Sequence, residues 1–302
     1  MGSRGPREFA SGNASLCEVT RRGPAPGVAD YLIELPHGAT SRIHFDAVRS
    51  RLSGTYPEDL EQFFFVNTDV GSPECALAIA DGLARCGASV EILRCLVPRT
   101  FIDCNRLVGA EAPGSEMTPG VPEYVRGGPD VAYLMRIHEE YQAVARQAYD
   151  TVCRAGGLAL TLHTYAPRSV DIARVDADIV RALRAAYEPG RFERWPLRPA
   201  VDIISEDIAG RRLAPAGAID ALRREYAASG IEAVLNATYR LHPETMGYLH
   251  SVTHPERVLC VEIRRDLLAD PFTPFAESPI GPAKVERMTA PIVRALSAGG
   301  PS

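Results

Sequence analysis

The polar residues best equipped for chemistry stand directly after short apolar runs of this 302-residue chain. Tyr31–Leu35 runs into Pro36-His37-Gly38, 62–66 into Asn67-Thr68-Asp69, and 158–162 into His163-Thr164. The run ending at Leu93 leads to Arg99-Thr100-Phe101-Ile102-Asp103-Cys104-Asn105-Arg106, and 258–261 leads to Glu262, Arg264 and Arg265. Sites in open α/β sheets form at the carboxyl ends of strands. Two imidazoles and a carboxylate meeting there have the donor types of a three-ligand Zn²⁺ site with water in the fourth position. Such an ion lowers the pKa of water and polarises a carbonyl. A separate carboxylate then serves as general base and proton shuttle. Neighbouring arginines stabilise an oxyanion and clamp a substrate carboxylate through a bidentate fork. On this logic His37, Asp69 and His163 are the expected metal ligands. Glu262 is the expected base, Arg99 and Arg106 the cations, and Asn105 a hydrogen-bonding partner.

Each residue also has a plainer reading. A histidine at a strand end is often only a hydrogen-bonded residue, the status expected of His44, His138, His242, His250 and His254. Asp69 is equally suited to cap the helix that follows it. Glu74 is a rival ligand whose plainer role is a charge in a helix's first turn. Asp103 can simply anchor an arginine, and 262–265 can be a solvated edge.

Positioning these residues takes alternating strands and helices. The expected strands are Tyr31–Leu35, 62–66, 89–93, 158–162, Val201–Ile204, Ala233–Leu235 and 258–263. Several are apolar on both faces, as in strands buried on both sides of a sheet. The expected helices are 72–86, ended by Gly87, and 130–155, 176–187, 214–229 and 282–297. The alternation predicts an α/β fold: a single three-layer α/β/α domain with a mixed sheet. Residues 1–29, rich in Gly, Pro, Ser and Arg, are expected to form a flexible arm ahead of a domain over 30–302. Residues 106–129 are expected to be a long functional loop.

Composition narrows the function classes. Hydrophobic residues make up 46% and charged residues 24%, which excludes a disordered or coiled-coil chain. A net charge of −5 argues against a nucleic-acid partner, which needs a basic surface. No apolar run has the length of a membrane helix. The N-terminus lacks an apolar signal core, so a cytoplasmic address is expected. The seven cysteines include no C-x-x-C pair and are expected to be reduced and mostly buried. Lys284 is the only lysine, which leaves the other cationic roles to arginine. No G-x-G-x-x-G or P-loop pattern points to a nucleotide. A small-molecule partner fits these limits, while the oligomeric state is left open.

Six segments, in order, resemble the N-formylglutamate amidohydrolase family, a distant relative of aspartoacylase and the zinc carboxypeptidases. Leu35-Pro36-His37-Gly38 is similar to its Pro-His-Ser-Gly, and Thr68-Asp69-Val70-Gly71 to its Thr-Asp before a helix. Arg99-Thr100-Phe101-Ile102-Asp103-Cys104-Asn105-Arg106 is similar to Arg-x-x-Ile-Asp-Leu-Asn-Arg, the most specific of the six. Thr161-Leu162-His163-Thr164 resembles Asp-x-His-Ser, and Asn236-Ala237-Thr238-Tyr239 a late Asn before an aromatic. Val261-Glu262-Ile263-Arg264-Arg265-Asp266-Leu267 resembles a strand Glu followed by Arg-Asp-Leu. The resemblance implies a phosphorylase/hydrolase-like, zinc carboxypeptidase-like fold and an amidohydrolase domain over 30–302. It implies zinc or another divalent metal. The implied reaction cleaves the amide of a small carboxylate-bearing substrate, such as an N-formyl or N-acyl amino acid or short peptide.

The resemblance also implies roles. His37 and His163 would be ligands. Asp69 would be the third, because Thr40 stands where the carboxypeptidase branch has its acid. Arg99 would polarise the scissile carbonyl, and Asn105 and Arg106 would hold a substrate carboxylate. Asn236 and Arg264 would contact substrate, and Glu262 would be the base. Three positions depart from the family pattern. The Ser after His37 is missing, Thr161 replaces an Asp, and Arg240-Leu241-His242-Pro243-Glu244 replaces paired glycines. These departures keep two alternatives open: a metal-free binding protein of the same fold, or a metal hydrolase acting on an ester or amidine.

Overall fold

The computed structural model describes residues 16–24, 27–109, 117–172 and 174–299. Seven strands form one mixed sheet: β1 (Cys17–Arg22), β2 (Tyr31–Leu35), β3 (Val90–Cys95), β4 (Leu158–Tyr165), β5 (Val201–Ile204), β6 (Ala233–Leu235) and β7 (Val258–Arg264). Their order is β1-β3-β2-β4-β7-β5-β6. The central strands β3, β2, β4 and β7 are parallel, so their carboxyl ends share one rim. Antiparallel β1 and β5 flank them, with β6 parallel to β5 at the edge.

Side-chain alternation along the strands builds two different faces. Tyr31, Ile33, Leu35, Leu160, Leu162, Leu259, Val261 and Ile263 pack into one buried cluster with helices α3 (Ser72–Arg85), α6 (Ala216–Ala228) and α8 (Pro282–Ala298). The opposite face carries Leu32, Ala159 and Val258 under α4 (Gly128–Arg154). Along that same face, toward the rim, the residues turn polar: Glu34, Thr161, His163 and Glu262. Glu34 is buried there, but both oxygens are satisfied. Tyr141 and Tyr149 of α4 donate to them at 2.9 and 2.7 Å. Helices therefore cover both faces, as the alternation predicted.

Local chemistry explains the helix ends. α3 buries Cys75, Ala76, Ile79, Ala80 and Leu83 on one stripe. It ends at Gly87, whose φ of +90° suits glycine. There the Gly87 N–H donates to Ala84 O and the Ala88 N–H to Leu83 O, satisfying carbonyls left open by the last turn. Asp130, in the first turn of α4, accepts from the Ser53 and Gly54 N–H groups and the Ser53 and Tyr56 hydroxyls. Burial alone would raise the Asp130 carboxyl, but these donors outweigh it and bring it down to about 2. Because the folded value is depressed, its stabilisation is full above about pH 4 and is lost toward pH 2. Asp130→Ala is expected to lose about 2 kcal/mol at pH 7. In urea titrations the gap from wild type should close by pH 2; a gap that stays constant from pH 5 to 2 contradicts this assignment.

Three expectations are corrected. Residues 62–66 are not a strand but lie in helix α2 (Leu60–Asn67), which buries Leu60, Phe63, Phe64 and Phe65. So short an apolar run carries no period that separates the two forms. Part of the expected N-terminal arm is the edge strand β1, paired with β3 over its whole length. Residues 1–15 lie outside the described residues. Helices α1 (Arg42–Arg49) and α7 (Met246–Thr253), each one short amphipathic or capped segment, join the expected set, as does α5 (Ile179–Ala186) in trimmed form. Among the described residues no helix is long and apolar enough to cross a membrane. No cysteine is in a disulfide, and all but Cys86 are buried.

Candidate metal centre

Three segments deliver the central donors. His37 follows β2 in a turn closed by the Gly38 N–H donating to Leu35 O at 3.2 Å. A Cβ at Gly38 would stand 2.5 Å from Arg94 Cγ, so only glycine permits this close turn. His163 projects from β4 on the polar face, beside Glu262 of β7 in register. Asp69 lies not at a strand end but in the turn between α2 and α3. The Thr68 hydroxyl ties that turn to Ala39 O, and the Thr164 hydroxyl donates to Val70 O at 2.8 Å.

The three donors converge. Ligand atoms of His37, Asp69 and His163 all lie within 4.8 Å of one another, and all three residues are buried. Asp69 Oδ2 is 2.9 Å from His163 Nδ1 and 3.4 Å from His37 Nδ1. Tetrahedral zinc with bonds of about 2.0–2.1 Å sets its ligand atoms about 3.3 Å apart, so the spacing fits. On the far side of its ring, His37 Nε2 meets Asp103 Oδ1 at 2.8 Å. That contact turns Nδ1 inward, the usual way a carboxylate orients a ligating histidine. Asp103 also accepts from Arg99 Nη2 at 2.9 Å and from the Asn105 N–H at 2.8 Å. It thus anchors an arginine and a histidine together.

Electrostatics follow from burial and pairing. Burial would raise the Asp69 carboxyl, yet His37 and His163 hold it well below the carboxylate range. Burial would lower His163, yet the Asp69 hydrogen bond and charge hold it above its ordinary value. Asp103 is likewise held low by Arg99 and His37 against its burial. Glu262 behaves oppositely: burial pushes its carboxyl up to about 7, only partly offset by His163. Its Oε2 is buried without a hydrogen-bond partner. A carboxyl left this way is able to take up or give a proton near neutral pH, and it faces the cleft.

His37, Asp69, His163 and Glu262 line a cleft of about 420 Å³. Five arginines line it, Arg99, Arg106, Arg198, Arg240 and Arg265, beside the carboxylates Asp69 and Glu262. Arg99 pairs with Asp103, Arg240 with Glu206 at 2.7 Å, and Arg265 with Asp69 at 3.5 Å. Arg106 donates to the carbonyls of Thr118 and Asn105. Arg198 lies over the rings of Tyr165 and Tyr239, 5.2 and 5.5 Å from their centroids.

Of the residues expected at the site, the structure brings His37, Asp69, His163, Glu262, Arg99, Asn105 and Arg106 to one cleft. Glu74 is exposed in the first turn of α3, so it is no rival to Asp69. Two expectations are corrected. Asn236 does not line the cleft. Its amide accepts from the Ser205 and Glu206 N–H groups and donates to the Ser205 hydroxyl, and its φ is +52°, a backbone that asparagine tolerates. Arg264 is also spent elsewhere, on Asp266 at 2.8 Å and Arg198 O at 2.7 Å. The chain leaves β7 in a 3-10 turn at Arg265–Leu267, which swings Arg265 into the cleft instead. Arg198 and Tyr239 were not singled out. Tyr239 sat within the Asn236 motif, whereas Arg198 lies in a stretch with no periodic signal.

No family model matches the chain, and no curated protein matches it. Solved structures do. N-formylglutamate amidohydrolase from Ralstonia eutropha JMP134 is 18% identical, with a TM-score of 0.57 over 93% of this chain and 97% of that one. A gene product from Agrobacterium tumefaciens is 17% identical, with a TM-score of 0.48 over 89% and 91%. A metallo-carboxypeptidase from Burkholderia cenocepacia is 10% identical, with a TM-score of 0.37 over 93% of this chain and 60% of that one. The first likeness spans nearly the whole of both chains, so this three-layer α/β/α chain has a fold similar to that of N-formylglutamate amidohydrolase, the family its six motifs resemble.

Proposed function

We propose that this chain is a metal-dependent hydrolase that cleaves the amide bond of a small carboxylate-bearing substrate, an N-formyl or other N-acyl amino acid or a short peptide. The observation that carries this reading is the meeting of His37, Asp69 and His163 beside the buried, unpartnered Glu262 oxygen. His37, Asp69 and His163 would hold zinc or another divalent ion, which when bound would supply Lewis-acid polarisation of the carbonyl and acidify water. Glu262 takes the proton of the attacking water and passes it to the leaving amine. Arg99, fixed by Asp103, offers its guanidinium to the oxyanion that develops on the carbonyl. Asn105 accepts the Gly247 N–H at Oδ1, which leaves its Nδ2 end to donate to a substrate carboxylate beside Arg106. Fixing that carboxylate orients the amide against Glu262.

The test is metal analysis combined with a screen of N-acyl amino acids and short peptides. Purified protein is expected to hold about one equivalent of divalent metal by the three-ligand logic. Chelation should abolish amide hydrolysis and re-addition should restore it. Full activity in metal-free protein overturns the reading.

A further inference from the structure

The side chains of one wall of the cleft have no part in the hydrolytic chemistry. Leu241, Gly247, Cys260 and Ile204 all line it. They form one continuous apolar surface. A Cβ at Gly247 would stand 3.6 Å from Cys260 Sγ and 3.7 Å from Leu241 Cδ2. Ile204 is the register partner of Cys260 across the β5–β7 pair, so their side chains are neighbours. Cys260 precedes Glu262 by two residues on the same strand face, which sets this wall about 7 Å from the base. Its other end touches the carboxylate clamp. The Gly247 N–H donates to Asn105 Oδ1 at 3.3 Å, and Arg106 bridges to Thr245.

The wall lies between the Asn105 and Arg106 end of the cleft and Glu262, where the side chain of the amino-acid half of a substrate clamped by its carboxylate would rest. A second carboxylate placed there would lose its hydration against Leu241, Cys260 and Ile204. An apolar chain would gain from the same burial. We propose that the leaving half of the substrate is an α-amino acid with an apolar side chain, and that Gly247 determines the length of chain the wall accepts. The inference rests on the hydrolase reading above, through its carboxylate clamp. Gly247 acts by omission: its missing side chain leaves the space between Leu241 and Cys260 open. A methyl group at that position would meet both at ordinary contact distance, so alanine fills the space without moving the backbone.

The amine product is itself the probe. Calorimetric binding of L-alanine, L-norvaline, L-norleucine and L-glutamate to the full chain as purified reads the wall without turnover. Burial of about 0.8 kcal/mol per methylene corresponds to about a fourfold gain for each one added. Norleucine is therefore expected to bind about 60-fold more tightly than alanine, and at least about tenfold more tightly than glutamate. Gly247→Ala should reduce the norleucine advantage by about fourfold. A flat series, glutamate ahead of norleucine, or no binding of any of the four overturns the proposal. Hydrolysis of the matching N-acetyl compounds is scored separately. Norleucine-first binding without turnover rejects the reaction and keeps the binding preference. Turnover with glutamate-first binding rejects the wall and keeps the hydrolase.

Discussion

Glu262→Gln is expected to keep about a full equivalent of metal while kcat falls by about 10³- to 10⁴-fold, the upper range for loss of a general acid–base group. The substitution is isosteric and leaves His37, Asp69 and His163 untouched, so binding of the ion has no reason to change. What disappears is the one cleft oxygen that, among the described residues, is buried without a hydrogen-bond partner, and with it the proposed acceptor of a proton from water. The same feature predicts an opposite effect on stability. Burial disfavours the ionised Glu262, raising its carboxyl from an ordinary value near 4.5 to about 7. A raised acid destabilises the fold as pH climbs through that interval, because the unfolded chain ionises first. Metal-free Glu262→Gln should therefore melt at a higher temperature than metal-free wild type above about pH 5. Turnover within threefold of wild type, with metal content unchanged, removes Glu262 from the mechanism. A base that weakens the fold it sits in is the familiar trade between stability and activity.

The sequence made the central sheet legible where apolar runs carried a clear period. Strands β2, β4, β5 and β7 and helices α3, α4 and α8 answer to that pattern. The candidate metal donors were legible as residue types following apolar runs, and the structure brings them together; the order of six motifs pointed to the fold. The route to Asp69 was not legible. The run Phe63-Phe64-Phe65 suits a strand and a buried helix equally, and tertiary packing chose the helix. Asp69 reached the same place through a turn that Thr68 and Thr164 hold from two sides. Polar residues at strand ends misled in the other direction. Asn236 and Arg264 look like substrate contacts, but one holds backbone N–H groups and the other holds Arg198 in position. A short 3-10 turn exchanged Arg264 for its neighbour Arg265, and a one-residue change in direction of that kind leaves no mark in residue spacing.

His163→Ala is expected to lose the metal outright. The proposed site has only three protein donors, and zinc sites with a full set of ligands bind with about 10–16 kcal/mol of free energy. Removing one donor takes roughly a quarter of that, an affinity loss on the order of 10²- to 10³-fold. Dialysed protein should then retain less than about a tenth of an equivalent of metal, with amide hydrolysis at background. A contrast separates this from general damage to the fold. Asp103→Asn leaves all three donors in place and weakens the contacts that orient His37 Nε2 and hold Arg99, so its expected loss of metal affinity is about 10- to 100-fold. His254 sits against Asp150 at 3.2 Å, away from the cleft, and His254→Ala should keep the metal. If His163→Ala retains metal as well as His254→Ala does, the ion is held elsewhere. The convergence of His37, Asp69 and His163 would then be a buried ion-pair cluster rather than the reaction centre.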